Sequence, residues 1–334
     1  MKKLISLILS VAIAFCITIG SVSASEILPT AEEQASAYNY HSIGMIELGN
    51  ARELGGYLTT DGKMIKFGKL LRTEKTSDAS DEDLERLINV YHVKVQVDFR
   101  SQIEAITSKD PSIDGITNYQ YSSFGSKLLN IDVSTKEGLD ELTDYVKSIM
   151  VLDYNGNLID NYFKNFYRDL YATDEGVTAF KNFFKQVHSL AENPDSDDAI
   201  LWHCASGKDR TGNAAMLLMT ILGVDEDTIM ADFLNTNIYN SEKISEVYDL
   251  VYKISNNDAM AYDIAYNYGV QESWLETAYS YLEEKYGKDN AHDAVMAFVY
   301  DKEDGLGLTQ DYIDLIRSAF LTDNIKDIPE YVQK

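Results

Sequence analysis

The chain has little cysteine and little proline. Its 334 residues include two cysteines, Cys16 and Cys204, and four prolines, which form no proline-rich linker. There is no internal repeat and no low-complexity segment, which excludes repeat architectures. Hydrophobic residues make up 45% of the chain, enough to bury a core. The length allows one large or two modest domains.

Basic residues are scarce relative to acidic ones. The chain has 29 Lys and Arg against 54 Asp and Glu, a net charge of −25. Such a surface repels nucleic acids and anionic membranes at long range, so no nucleic acid is expected as a partner. An anionic substrate must therefore be captured by a local positive site, against the field of the whole protein.

The first 24 residues have the pattern of a bacterial export signal. Lys2 and Lys3 precede an uncharged apolar run over 4–20, and small residues suited to cleavage end at Ala24. The run is short for a membrane span of about 20 residues, so we expect cleavage and secretion, with no stable membrane insertion afterwards. Cleavage removes two lysines, and the net charge becomes −27.

Cleavage also leaves Cys204 as the single cysteine. Lipidation of Cys16 is disfavoured, because Phe15 stands where lipidation sites have a small residue. Most lone cysteines are buried and inert. The neighbours of Cys204 argue for a reactive thiol instead.

Hydrophobic periodicity predicts an α/β fold. After a polar lead-in over 25–44, one domain is expected over 45–334, with a central, mostly parallel sheet flanked by helices and a helical C-terminal part. Strands are predicted at 93–99, 118–124 and Ala199–His203, with short strands separated by turns over 50–73. Helices are predicted at 81–90, 138–150, 161–170, 175–191, 213–222, 226–238, 241–255, 271–286, 288–299 and 309–321.

The segment HCASGKDRTG (203–212) joins a predicted strand to a predicted helix. Cys204 opens the loop, Arg210 follows after five residues, and the helix is expected to open at Thr211. The amides of a short loop can converge on a phosphate, and a helix N-terminus adds partial positive charge. Gly207 permits unusual backbone dihedrals, and Arg210 offers a fork that matches two phosphate oxygens.

This arrangement predicts nucleophilic catalysis at phosphorus. Helix N-termini and nearby cations favour the thiolate form of a cysteine, so we expect Cys204 to attack a bound phosphate and form a phosphocysteine. The amides of Ala205, Ser206 and Gly207 would bind the phosphate together with Arg210. No metal-ligand motif is present, and no cofactor is required.

The proton donor for the leaving group has two candidates. The chain contains no Trp-Pro-Asp segment, which supplies the acid in many phosphatases with this loop. Asp209 lies inside the loop next to Arg210 and is the first choice. Asp98, at the end of a predicted strand, is the second, although it could instead hold Arg100 or a loop amide.

Three further residues of the segment have expected supporting roles. Lys208 is expected to contact substrate, particularly one with a second anionic group. His203 is expected to hydrogen-bond backbone near Cys204 rather than to transfer protons. Thr211 could hydrogen-bond the thiolate or cap the helix.

The segment resembles the signature of cysteine-dependent tyrosine phosphatases, and more narrowly that of a bacterial family with the loop HCxxGKDRTG. NARELGGY (50–57) is similar to the family's NxRDLGGY, with Glu53 where Asp is usual. GKLLRT (68–73), VDFRSQIE (97–104) and GLTQDYIDLIR (307–317) resemble three further family elements. The resemblance covers about residues 45–322.

The resemblance implies a tyrosine-phosphatase-like fold with Cys204 as nucleophile, Arg210 as phosphate binder, and Lys208 and Asp209 in the active site. Family members act on phosphotyrosine proteins, and some secreted members also act on phosphoserine, phosphothreonine and phosphoinositides. These are the expected substrates.

Several other functions fit the loop less well. Arsenate reductases relay oxidation to further cysteines, which the mature chain lacks, and rhodanese-like loops are usually shorter. An inositol-phosphate (phytase-like) hydrolase shares the chemistry but would need many basic residues around its pocket. An inactive phosphate-binding module is disfavoured because Cys204, Asp209 and Arg210 are all present.

Overall fold

A computed structural model of the chain describes residues 41–124, 135–137, 140, 158–326 and 329. A five-stranded sheet has the order β1–β3–β6–β4–β5, in which β1 is antiparallel to β3 and the other neighbours are parallel. β2 and β7 form a separate antiparallel pair. The strands are β1 Arg52–Glu53, β2 Met64–Ile65, β3 Leu70–Thr73, β4 Val93–Asp98, β5 Thr117–Gln120, β6 Ala199–His203 and β7 Leu321–Thr322.

Helices flank the sheet and make up most of the C-terminal part. They are α1 Asp81–Asn89, α2 Gln102–Thr107, α3 Leu158–Ala172, α4 Asp174–Ala191, α5 Asp209–Leu222, α6 Glu226–Tyr239, α7 Ser241–Ser255, α8 Asp258–Tyr266, α9 Glu272–Tyr286, α10 Ala291–Tyr300 and α11 Gln310–Phe320. The predicted α/β class with a mostly parallel sheet is confirmed. Within the described ranges, no helix combines the length and apolar character needed to cross a bilayer.

Local sequence signals explain where several helices begin and end. α1 and α2 each start at a capping box, formed by Ser80 with Asp83 and by Ser101 with Glu104. α5 ends at Gly223, whose left-handed backbone closes the helix. The central strand β6 has the predicted bounds and is buried along its whole length, as expected for a strand between two parallel neighbours.

Two predicted boundaries near the sheet need correction. The helix after the loop begins at Asp209 rather than at the expected Thr211, and before the apolar stretch predicted over 213–222, so Arg210 lies in its first turn. The apolar pattern starts only at 214, because the first turn carries functional polar residues. β5 occupies Thr117–Gln120 rather than 118–124. The predicted helix 138–150 and the signal segment 1–24 lie almost wholly or wholly outside the described residues.

The main core lies between the sheet and the helices α4 and α5. Trp202 of β6 packs against Phe183 of α4, with ring centroids 5.4 Å apart, and Phe99 packs on Phe180 and Phe183. All four side chains are fully buried. This packing fixes the direction of β6 and therefore the place where the following loop leaves the sheet.

Candidate active site

The candidate site lies at the carboxyl edge of the parallel strands. Thr73 of β3 and Asp98 of β4 each pair with His203, the last residue of β6. The segments that follow these three strands therefore emerge side by side. Ligand sites of open α/β sheets form at this edge.

Cys204 follows β6 directly and is a free thiol, with 1% of its surface exposed. The loop continues to Lys208, the N-cap residue of α5. Gly207 has a φ of +64°, and a Cβ at this position would lie 2.4 Å from the Thr73 carbonyl oxygen. Only glycine allows the loop to pass this close to the end of β3.

The scaffold holds the loop by its carbonyl groups. The Asn50 side-chain amide donates to the carbonyls of Ser206 (3.2 Å) and Gly207 (2.9 Å). Arg72 Nη2 also donates to Gly207 O, at 3.0 Å. A trans peptide directs its N–H opposite to its C=O. The amides after these carbonyls therefore point away from the scaffold, into the loop, where an anion can accept from them.

Arg210 is oriented by Glu104 of α2. Both terminal nitrogens of Arg210 donate to the Glu104 carboxylate, each at 2.8 Å. Burial alone would raise the pKa of Glu104, but Arg210 and an N–H from Ser101 outweigh it and lower the pKa to about 2. Arg210 Nε is buried and has no hydrogen-bond partner among the described residues. The guanidinium is thus fixed by its ends, while its Nε remains able to donate.

Asp209 lies in the first turn of α5, with 8% of its surface exposed. One carboxylate oxygen, Oδ1, accepts a hydrogen bond from Tyr167 Oη at 2.9 Å. The other, Oδ2, lies 3.8 Å from Lys208 Nζ. The hydrogen bond from Tyr167 of α3 therefore orients this carboxylate, and the Lys208 ammonium lies near its second oxygen.

Lys208 is buried rather than extended into solvent. Its ammonium donates to the carbonyls of Asn267 (2.7 Å) and Gly269 (3.0 Å) and lies 4.3 Å from the Phe163 ring centroid. Burial lowers the pKa of Lys208, while Asp209 opposes this effect. The side chain joins the loop to the segment after α8.

Asp98 is engaged by Arg100. Arg100 Nε and Nη2 lie 2.9–3.1 Å from the carboxylate oxygens, and the Arg100 backbone N–H donates to Oδ1 at 2.8 Å. His203 Nδ1 lies 3.1 Å from Cys204 O, which can only accept. In the described part of the chain, the Thr211 hydroxyl has no hydrogen-bond partner and lies within α5, so neither of its two expected contacts is present.

Asp98, Asp110 and His203 present oxygen and nitrogen atoms within 4.8 Å of one another, as metal ligands would. Arg100 Nη2 lies 2.9 Å from Asp98 and 2.6 Å from Asp110. The guanidinium is therefore already a shared counter-ion for both carboxylates. We therefore interpret Asp98, Asp110 and His203 as part of an ion-pair network with Arg100.

The sequence model of the tyrosine phosphatase family matches residues 43–322. The chain belongs to this family. It is 30% identical over 228 residues to a Cupriavidus necator protein provisionally named a tyrosine-protein phosphatase, covering 67% of this chain and 73% of the relative. It is also 26% identical over 96 residues to the triple specificity protein phosphatase PtpB of Mycobacterium tuberculosis, covering 26% of this chain and 35% of that protein. The chain is therefore a phosphatase, a hydrolase of phosphoric monoesters.

Sequence reasoning gave no role to several residues that shape the phosphatase site. Glu104 was visible only as part of a capping box, Ser101-x-x-Glu104, and of a family element. Asn50 and Arg72 lie in recognised elements, but their contacts with the loop span more than 130 residues. Tyr167 and Asp232 had no local signal, because their partners are distant in sequence.

Asp232 of α6 neutralises two buried arginines behind the phosphatase loop. Its Oδ1 lies 3.0 Å from Arg52 Nε, and its Oδ2 lies 2.6 Å from Arg72 Nη1. Burial would raise the pKa of Asp232, but Arg52 and Arg72 lower it to about 2. Because the folded-state pKa is below the ordinary value, this stabilisation is present above about pH 4 and is lost as the pH falls towards 2.

We expect Asp232→Asn to lower the free energy of unfolding by about 3–5 kcal/mol, because it leaves two buried guanidinium groups without a counter-ion. Asp61→Asn is the control. It removes the exposed partner of Arg317 and should cost at most about 1 kcal/mol. Urea unfolding of both variants at pH 7 measures the difference, and equal small losses would show that the buried network is not stabilising in this way.

Proposed function

We propose that this phosphatase hydrolyses phosphotyrosine in proteins through a phosphocysteine on Cys204. The observation that carries the proposal is the loop itself, since Cys204 opens a turn whose carbonyls are held outward and whose helix carries Arg210. Cys204 Sγ attacks phosphorus as the P–O bond breaks, and Asp209 gives its proton to the leaving oxygen. Water then attacks phosphorus and gives a proton to the Asp209 carboxylate, and the S–P bond breaks to release phosphate and the Cys204 thiolate.

Arg210 and the loop amides have an electrostatic role in this scheme. Charge on the three equatorial phosphate oxygens is stabilised by donors that are already in position before the reaction. The Glu104 carboxylate keeps the guanidinium in one orientation. Since burial opposes charge, the Glu104 contact is what raises the pKa of Arg210 above its ordinary value and keeps it cationic.

The aromatic face of α3 supports an aromatic substrate. Phe166 lies beside Arg210, with its ring centroid 6.0 Å from the guanidinium carbon, and Phe163 lies beside Lys208. Phe166 and Phe163 keep only 8% and 9% of their surface exposed. A tyrosine ring bound at the loop would pack against this exposed part, and aromatic contacts favour such packing. The cations that contact the loop already have partners in Glu104, Asp232 and backbone carbonyls.

The proposal extends to phosphoserine, phosphothreonine and phosphoinositides as further substrates. The name of the Mycobacterium tuberculosis relative, a triple specificity phosphatase, supports a broad range. An inositol-phosphate hydrolase is the alternative. It is less favoured because a ligand with many phosphates would face the acidic net charge of the chain.

A substrate panel tests this proposal. The purified protein should have a kcat/KM for a phosphotyrosine peptide at least about tenfold above that for a phosphoserine peptide or phytate, because only the phosphotyrosine peptide offers an aromatic ring to α3. Phosphatidylinositol phosphates complete the panel. Phytate as the fastest substrate would overturn the proposal in favour of an inositol-phosphate hydrolase.

Lys208→Met on the same panel tests the expected substrate contact of Lys208. If the ammonium leaves its carbonyl partners to bind a second phosphate, kcat/KM for phosphoinositides falls about tenfold more than for the phosphotyrosine peptide. Equal losses on both would mean that Lys208 acts only by holding the loop. Lys243→Met is the control, since Lys243 lies on α7 near Tyr268 and is half exposed.

Export is part of the proposal. The N-terminal pattern supports secretion with cleavage after Ala24, which gives a mature protein that begins at Ser25. N-terminal sequencing of protein recovered from the medium of an expressing bacterium tests this step, and an intact Met1 would contradict it.

A further inference from the structure

Two buried tyrosines of α3 reach the first turns of α5. Tyr167 donates to the Asp209 carboxylate at 2.9 Å, and one helical turn later Tyr171 donates to Asn213 Oδ1 at 2.8 Å. Both phenol groups are fully buried. The two pairs have the same spacing on both helices, so they differ mainly in what the hydroxyl touches on α5.

Only the Tyr167 contact involves a group that can exchange a proton in the reaction. Asn213 Nδ2 donates to the backbone carbonyl of Asp209 at 2.8 Å, which supports the helix rather than the carboxylate. Tyr167 instead holds Oδ1 directly. The hydrogen bond to Oδ1 restricts rotation of the carboxyl group, and Oδ2, which lies 3.8 Å from Lys208 Nζ, is the oxygen that presents the proton.

We propose that Tyr167 is a positioning residue for Asp209, holding the general acid in the orientation that delivers its proton to the leaving oxygen. The inference rests on the proposed function of Asp209. As the P–O bond breaks, the proton passes from Asp209 to the leaving group, and Tyr167 keeps its own proton throughout.

The surroundings of Tyr167 suit this role. Its ring packs edge-on against Phe233 of α6, with centroids 5.9 Å apart, and lies 6.2 Å from Trp274 of α9. Burial, together with Asp209, raises the pKa of Tyr167 well above its ordinary value. The hydroxyl therefore stays protonated and donates to Asp209. A side chain locked on several sides supplies the rigidity that proton transfer needs.

Tyr167→Phe and Tyr171→Phe are a matched pair, because each deletes one buried hydroxyl from the same helix. The measurement is kcat for aryl phosphates of decreasing leaving-group acidity, from para-nitrophenyl phosphate to phenyl phosphate. A positioned acid matters most for poor leaving groups. Tyr167→Phe should lower kcat about tenfold on phenyl phosphate and less than about threefold on para-nitrophenyl phosphate, with KM nearly unchanged.

Tyr171→Phe should show no dependence on the leaving group, although it lowers the unfolding midpoint to a similar extent. Adding Tyr167→Phe to Asp209→Asn should cause no further loss, because the two act through one step. If Tyr167→Phe behaves like Tyr171→Phe across the series while Asp209→Asn depends on the leaving group, this inference alone is overturned. If Asp209→Asn itself shows no such dependence, the acid assignment fails and the inference fails with it.

Discussion

Cys204→Ser should reduce hydrolysis of para-nitrophenyl phosphate by more than about 10³-fold, because a serine hydroxyl without an adjacent base is a far weaker nucleophile than a thiolate. The change is nearly isosteric at a buried position, so the fold should be retained. Steady-state rates of wild type and variant at neutral pH measure the effect.

Two controls separate loss of the nucleophile from loss of the loop. Cys204→Ser should still bind inorganic phosphate, measured by calorimetry, since Arg210 and the loop amides are unchanged. Ser206→Ala changes a side chain in the same loop but keeps its amide, and should lower kcat less than about tenfold. Full activity in Cys204→Ser would refute the phosphocysteine mechanism.

Asp209→Asn should lower kcat for phenyl phosphate, which has a poor leaving group, by roughly 10²–10⁴-fold, the range expected when a general acid is removed. The amide keeps an oxygen to accept from Tyr167, so the local structure should survive. In the wild type, kcat should fall at higher pH, where the general acid is no longer protonated. The pH profile of Asp209→Asn should lack this fall.

Asp98→Asn is the comparison that decides between the two candidate acids. Asp98 accepts a backbone N–H and the guanidinium of Arg100, which points to a scaffold role. We expect Asp98→Asn to lower the free energy of unfolding more than Asp209→Asn does, and to reduce kcat much less. If both substitutions reduce kcat slightly and to the same extent, neither residue is the general acid.

The sheet and its central loop could be predicted from the sequence because their signals are local. The apolar run in β6 is followed closely by Cys204, and the capping residues of α1 mark the start of that helix. The first turn of α5 was missed, because Asp209 and Arg210 serve the site and carry no apolar period. The active-site residues therefore interrupt the apolar pattern that would otherwise mark the start of this helix.

The contacts that hold the site residues in place could not be predicted from the sequence. Tyr167 meets Asp209 across 42 residues, and Arg52 meets Asp232 across 180. Such pairings depend on how helices and strands that are distant in sequence pack together, and no single segment of the sequence specifies that packing. Lys208 shows the same limit, since its sequence context suggests a free cation while its carbonyl partners lie about 60 residues away.

The contacts of Asn50 and Arg72 with the loop carbonyls have a consequence for folding. The loop near the middle of the domain takes this shape only with residues from the start of the domain docked on it, across 135 to 157 residues of chain. Contacts of such long sequence separation carry a loop-closure cost. A fragment that keeps the signature but lacks the first strands would hold a cysteine and an arginine without a formed anion site. The nascent enzyme therefore becomes competent only with its global fold.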